Sequence, residues 1–172
     1  MPNHVHLILV PDHSDALCAA LSKVHRAYAG RINAREKRTG HFWQGRFGCG
    51  AMDEEQLMAA LPYVVLNPVR ARLVERAEDW RWSSVRALLD PARGDGLTDT
   101  APVLERVPDF AGLLRAGEDE AMYGGLRRSE ATGRPLGDSA FLDQVATLLS
   151  RDPKPAKRGP KPKGGEISAL ST

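Results

Sequence analysis

Met1-Pro2-Asn3-His4-Val5-His6-Leu7-Ile8-Leu9-Val10 is the stretch on which the reading of the whole chain turns. β-Branched Val5, Ile8 and Val10 within an apolar run predict a buried strand. Side chains of a strand alternate faces, so His4 and His6 point the same way with Cα atoms roughly 7 Å apart. Two imidazoles on one face are placed to share a metal ion. The plainer alternative is a surface or hydrogen-bonded core role for one or both.

A second stretch, Leu57-Met58-Ala59-Ala60-Leu61-Pro62-Tyr63-Val64-Val65-Leu66-Asn67-Pro68, predicts a helix. Asp53 is its expected N-cap, with Glu54 and Glu55 in the first turn. Asn67 before Pro68 is the expected stop, because the residue preceding proline is pushed out of the helical region. If the helix runs to about Leu66, Tyr63 and Asn67 share a face and could meet the histidine pair. A core tyrosine and a helix-ending asparagine are the ordinary alternatives. Pro62 either kinks the helix or starts a new one, since a proline in a regular helix interior costs about 3 kcal/mol.

Around these stretches, Ser14 or Asp15 caps a helix to about Arg38 whose Ala16, Leu17, Ala20, Leu21, Val24, Tyr28 and Ile32 recur at helical spacing and should face a sheet. Phe42 to about Met52 reads as one or two short strands with a glycine-permitted bend. A short helix from Val69 to about Ala77 leads to Trp80 and Trp82, expected to form a hydrophobic latch, and Ser83-Ser84 cap another to Leu89. The loop signal at Asp90–Gly96 separates a core, residues 1–90, from a helical appendage, residues 91–150. Within the appendage, helices are expected at about Ala101–Val107, Asp109–Ala116, Asp119–Ser129 and Asp138–Leu149. Residues 151–172, with Pro153, Pro155, Pro160 and Pro162 among basic residues, form an expected disordered tail.

The chain has 172 residues, 42% hydrophobic, with a formal net charge of +2, which suits one globular core of ordinary size. No apolar stretch reaches the ~20 residues of a membrane span, and the apolar start is too short for a secretory signal. Cys18 and Cys49 fit neither a disulfide framework nor a zinc spacing and suit a reducing cytoplasm. No phosphate-cradling glycine loop is present. Charge is unevenly spread. From Lys23 to Arg46 seven basic residues face Glu36 alone, from Arg151 to Lys163 six face Asp152 alone, and from Asp95 to Asp143 ten acidic residues outnumber five arginines. Lys23, Arg26, Arg31, Arg35 and Arg46, and in the tail Lys154, Lys157 and Arg158, are therefore candidates for contact with a polyanion. Solvated helix faces are the alternative. Trp43, beside Phe42 and Phe47, is a candidate for stacking on unpaired bases.

Taken in order, Met1–His6, Gly40-His41-Phe42-Trp43-Gln44-Gly45-Arg46-Phe47, Tyr63–Ala71 and Asp79-Trp80-Arg81-Trp82-Ser83-Ser84 resemble the REP-associated tyrosine transposases, single-tyrosine members of the HUH superfamily. The resemblance runs from Met1 to about Leu89 and is fainter at Arg134-Pro135-Leu136-Gly137 and in the tail. It implies an α+β fold in which an antiparallel sheet carries packed helices, a ferredoxin-like core. In that family a further strand and helix precede the histidine strand, so the chain reads as truncated at its N-terminus.

The resemblance also implies chemistry. Tyr63 would attack a phosphate of single-stranded DNA beside a hairpin, leaving a 5′-phosphotyrosine and a free 3′-hydroxyl. His4 and His6 would hold Mg²⁺ or Mn²⁺, to which Asn67 could add an oxygen ligand. A tyrosine phenol, with a pKa near 10, is a weak nucleophile without such help, and a divalent ion can polarise the phosphate. Tyr28 falls in the apolar series of its helix and is assigned to packing; Tyr123 lies among the acidic residues. The expected partner is single-stranded or hairpin DNA in the cytoplasm, with monomer and homodimer both open. An inactive hairpin-binding descendant and a metallo-hydrolase using water are the competing readings.

Overall fold

The computed structural model describes residues 3–117 and 123–152. Their elements are helical: α1 (Ala16–Arg35), α2 (Glu54–Val65), α3 (Asn67–Arg70), a 3₁₀ turn (Ala77–Asp79), α4 (Val85–Leu89), α5 (Ala101–Arg106), α6 (Phe110–Ala116), α7 (Tyr123–Thr132) and α8 (Ser139–Leu149). The tail expectation, with Lys154, Lys157 and Arg158, lies outside the described residues.

The expected antiparallel sheet is overturned: among the described residues there is no sheet, only one isolated parallel bridge between Met52 and Leu136. A strand becomes part of a sheet by exchanging backbone hydrogen bonds with a neighbour. Residues 3–10 are without regular structure, as are residues 47–51. Alternation in burial is confined to residues 5–9, since His4 and Val10 are exposed. His6 and Ile8 are half-buried, whereas Val5, Leu7 and Leu9 are at least half exposed.

The 20-residue α1 starts near its expected place but contains no buried residue. With no sheet beneath it, the apolar series lacks the surface it was expected to cover, and Val24 and Tyr28 are exposed. Burial begins with α2. Its N-terminus is built as the sequence predicts: Asp53 accepts a hydrogen bond from the Gln56 backbone N–H at 2.9 Å. The second oxygen of Asp53 accepts from the Asp138 backbone N–H at 2.8 Å, and Asp138 in turn caps α8 by accepting from the Phe141 N–H at 2.7 Å. One carboxylate therefore joins two helix N-termini. Gly137 makes this approach possible, since a Cβ there would lie 2.6 Å from the Asp53 carboxylate. The Arg134–Gly137 stretch thus acts as a clamp on the start of α2, completed by hydrogen bonds from Leu136 N–H to Ala51 O (2.9 Å) and from Asp53 N–H to Leu136 O (3.2 Å).

Pro62 neither restarts nor ends α2, which continues to Val65 with Leu66 N–H donating to Pro62 O at 3.0 Å. Its backbone cost is opposed by burial of Leu61, Tyr63 and Val65 on either side, each large side chain contributing on the order of 1.5–3 kcal/mol. Tertiary packing overrides local propensity here. Asn67, the expected terminus, is instead the first residue of α3, and is itself buried.

Two packed clusters make the core. Leu61, Val65, Leu66, Ala77, Val85, Leu88 and Phe110 form one; Ala59, Ala60, Tyr63, Tyr123 and Leu126 form the other, and Ile8 touches both. Both clusters draw on residues from either side of the Asp90–Gly96 loop. Of the two tryptophans of the expected latch, Trp80 is half-buried and Trp82 is not. Trp82 is 73% exposed, with the Arg81 guanidinium 4.4 Å from its ring centre, so it covers a cation rather than a core.

Candidate active site

α2 brings Tyr63 to the inner surface of the second cluster, where only 7% of it is exposed. Three aromatic and cationic neighbours fix its ring. The Tyr123 ring stands 5.0 Å away, the His6 ring 5.5 Å away, and the Arg70 guanidinium lies 4.4 Å from the ring centre. Arg70 comes from the last residue of α3, so the short helix after Asn67 returns a cation to the phenol. Tyr123, far from Tyr63 in sequence, is a direct neighbour in space.

The histidine pair approaches the phenol through His6. His4 and His6 have ring centres 4.9 Å apart, nearly perpendicular. His6 places Nδ1 2.9 Å from Glu130 Oε1, and His4 places Nδ1 2.8 Å from Asn3 Oδ1. Each imidazole therefore has an acceptor at Nδ1, which leaves its Nε2 lone pair for another partner. With metal–nitrogen bonds of about 2.1 Å, two imidazoles in adjacent coordination positions have ring centres roughly 4.5–5 Å apart. The 4.9 Å separation of the ring centres falls in that range, and neutral imidazole is a suitable donor. Among the described residues no cluster of three or more His, Cys, Asp or Glu side chains is arranged to hold a metal. Asn67 is buried at the start of α3, and no hydrogen bond among the described residues joins its carboxamide to either imidazole.

Glu130, on α7, is the residue that sequence reasoning missed. Its Oε2 accepts a hydrogen bond from the Tyr63 hydroxyl at 3.1 Å while its Oε1 faces His6. One carboxylate thus touches both the candidate nucleophile and a candidate metal ligand. Nothing local in Arg127-Arg128-Ser129-Glu130 marks it. The only available signal was that it falls four residues before the Arg134–Gly137 stretch that packs against α2.

Electrostatics set the resting state. Burial, followed by the Glu130 carboxylate beside it, raises the Tyr63 pKa above the ordinary phenol value, against smaller opposing effects of Arg70 and Arg127. Burial also lowers the His6 pKa, an effect exceeding the opposing pull of Glu130. The site at neutral pH is therefore a protonated phenol beside neutral imidazole, the state in which imidazole can act as a ligand. A cavity of about 340 Å³ is lined by His6, Tyr63, Glu130 and apolar residues of α1 and α2.

None of the expected nucleic-acid contacts among the described residues lines this cavity. Lys23, Arg26, Arg31, Arg35 and Arg46 are exposed, and Arg35 pairs with Glu36 at 2.7 Å. On α1, positions 23, 26, 31 and 35 spread over about half the helix circumference at 100° per residue, so they form a broad basic flank rather than one stripe. Trp43 stacks on His25 with ring centres 4.2 Å apart and donates its indole N–H to His25 O at 3.0 Å. Tyr28 and Phe42 stand 5.6 and 5.0 Å from the Trp43 ring, and Arg38 lies 5.5 Å from the Phe42 ring centre. Trp43 thus joins an aromatic group, with 37% of its surface left open.

No family model matches the chain. No solved structure matches it. Over 95 residues the sequence is 26% identical to a Haemophilus influenzae protein described as "Putative REP-associated tyrosine transposase". The match takes in 49% of this chain and 54% of that protein, so the chain spans about half the length of the curated relative it matches. At that identity and coverage, the match supports a distant relationship between this chain and a transposase-like protein.

Proposed function

We propose that this chain is a transposase-related enzyme that cuts and rejoins single-stranded DNA through a phosphotyrosine at Tyr63. The observation that carries the reading is that Tyr63 and His6 line one cavity with their rings 5.5 Å apart, and that His4 stands directly behind His6 at 4.9 Å. The distant relationship to a transposase-like protein supports a transposase-related reaction.

In the proposed reaction the Tyr63 oxygen bonds to phosphorus as the bond from phosphorus to the 3′-oxygen breaks. The 5′-phosphate stays on tyrosine, the phenol proton is released to solvent, and the departing oxygen takes a proton from solvent to become a free 3′-hydroxyl. Because one phosphodiester replaces another, the reverse attack by a 3′-hydroxyl rejoins DNA without a nucleotide cofactor. His4 and His6, with Asn67 as a further oxygen ligand, would hold Mg²⁺ or Mn²⁺. Such an ion supplies polarisation of the scissile phosphate and charge stabilisation as the bond breaks. Glu130 takes the phenol hydrogen bond in the resting state, and Arg70 beside the ring favours the phenolate that must form. The exposed cations of α1 and the open face of Trp43 would grip the DNA, the former through phosphates and the latter by stacking.

The test is to incubate the chain with Mn²⁺ and hairpin-bearing single-stranded DNA and to look for a denaturant-resistant protein–DNA adduct. An adduct that requires Mn²⁺ and disappears in the His4→Ala, His6→Ala double variant supports the reading. Asn67→Ala should reduce adduct less severely, since water can replace one oxygen ligand. Hairpin binding that weakens with salt, without any adduct, would instead favour an inactive DNA-binding descendant. The hydrogen bond that keeps Tyr63 protonated is the observation on that side.

A further inference from the structure

We propose that Glu130 is a positioning residue that fixes the tautomer of His6 and ties the Tyr63 hydroxyl to the histidine pair. The inference rests on the proposed reaction for its purpose, but its geometry stands apart from that reaction. An ionised carboxylate only accepts hydrogen bonds. A neutral His6 with Nδ1 2.9 Å from Glu130 Oε1 must therefore carry its proton on Nδ1. The lone pair is then on Nε2, the atom free to bind a cation.

Histidine ligands are commonly oriented this way by a carboxylate behind the ring, and removal of that partner typically costs 10–100-fold in metal affinity. Glu130 goes further, because its second oxygen holds the Tyr63 hydroxyl at 3.1 Å. The nucleophile and the ligand are thus held by the two oxygens of one carboxylate on α7. This matters because residues 3–10 have no neighbouring strand to hold them. Glu130 gives a polar link between that extended segment and the core, beside the apolar contacts of Ile8 and the ring contact of His6 with Tyr63. The Glu130 side chain is 44% exposed, so its replacement leaves the two packed clusters intact.

The histidine tautomers are read directly by long-range ¹H–¹⁵N spectra of the full chain without metal. His6 should show the Nδ1–H form in the native chain. Glu130→Ala should shift it toward the Nε2–H form that free histidine prefers, while far-ultraviolet dichroism and the thermal melt stay unchanged. Mn²⁺ alone, titrated by electron paramagnetic resonance, should bind 10–100-fold more weakly to Glu130→Ala than to the native chain. Glu130→Gln keeps one strong acceptor for His6 and should recover part of that affinity. A native His6 in the Nε2–H form, or a Glu130→Ala variant with unchanged tautomer and Mn²⁺ affinity, overturns the inference. If the tautomer depends on Glu130 but the native chain binds no Mn²⁺, the positioning role is upheld and the metal-dependent reaction is what fails.

Discussion

Between residues 3 and 52 no side chain is buried, whereas every buried residue of the described chain falls between Ala59 and Ser129. The contrast is not one of helix content, since α1 is the longest helix and lies in the first region. Helical propensity can shape a segment, but stability comes from what its apolar face covers. α2, which contains a proline, is the better-anchored helix because Asp53 caps it and two clusters close around it. The candidate site straddles the two regions. Tyr63 and Glu130 belong to the packed one, His4 and His6 to the unpacked one. The proposed chemistry therefore depends on how firmly a few contacts hold an extended segment against a stable core.

The largest expected difference between the regions is energetic. Phe110→Ala should lower unfolding stability by about 3–5 kcal/mol, the usual cost of emptying a buried aromatic site. Val24→Ala on α1 should stay within about 0.5 kcal/mol, as for a surface substitution. Chemical denaturation followed by circular dichroism measures both. A comparable loss at Val24 would mean that α1 is packed after all.

A smaller effect is expected at the joint that holds the tyrosine helix. Asp53→Ala removes an N-cap and the link to the α8 N-terminus together, and should cost about 1–2 kcal/mol. Asp53→Asn retains one acceptor oxygen for Gln56 and should recover part of the loss. If both variants melt like the native chain, the clamp formed with Leu136 and Gly137 contributes nothing to the placement of α2.

This joint also shows what the sequence made legible. Asp53 was readable as a cap because capping is local, depending on one side chain and backbone a few residues ahead. The facing of His4 and His6 to one side was read from period-two alternation, and their ring centres lie 4.9 Å apart. A sheet was not legible, because strand pairing depends on a neighbour that no local pattern supplies. The continuity of α2 through Pro62 was hidden for a similar reason: burial of Leu61, Tyr63 and Val65 outweighs a local penalty. Tyr63 and the histidine pair stood out by residue type and spacing, whereas Glu130 is an ordinary glutamate until the fold places it between them.

The smallest effect is a pH dependence at the boundary between the regions. Burial depresses the His6 pKa in the folded chain. Well above the ordinary histidine value of about 6.5 both states are neutral at this residue and nothing is gained or lost. As pH falls through that value, the unfolded chain takes up the proton first, so folding stability declines until the folded pKa is passed. The native chain should therefore lose more stability between pH 7.5 and 5.5 than His6→Gln does. Equal losses in paired thermal melts would show that His6 is not desolvated by the core.

The central claim is that a tyrosine of the packed region performs the chemistry with histidines of the unpacked one. Its most direct test is mass spectrometry of the adduct formed with Mn²⁺ and hairpin-bearing single-stranded DNA, after digestion of protein and nucleic acid. The account predicts a nucleotide on the peptide containing Tyr63, absent from Tyr63→Phe, which still binds the DNA. A nucleotide on the Tyr28 peptide, or an adduct that persists in Tyr63→Phe, would contradict it.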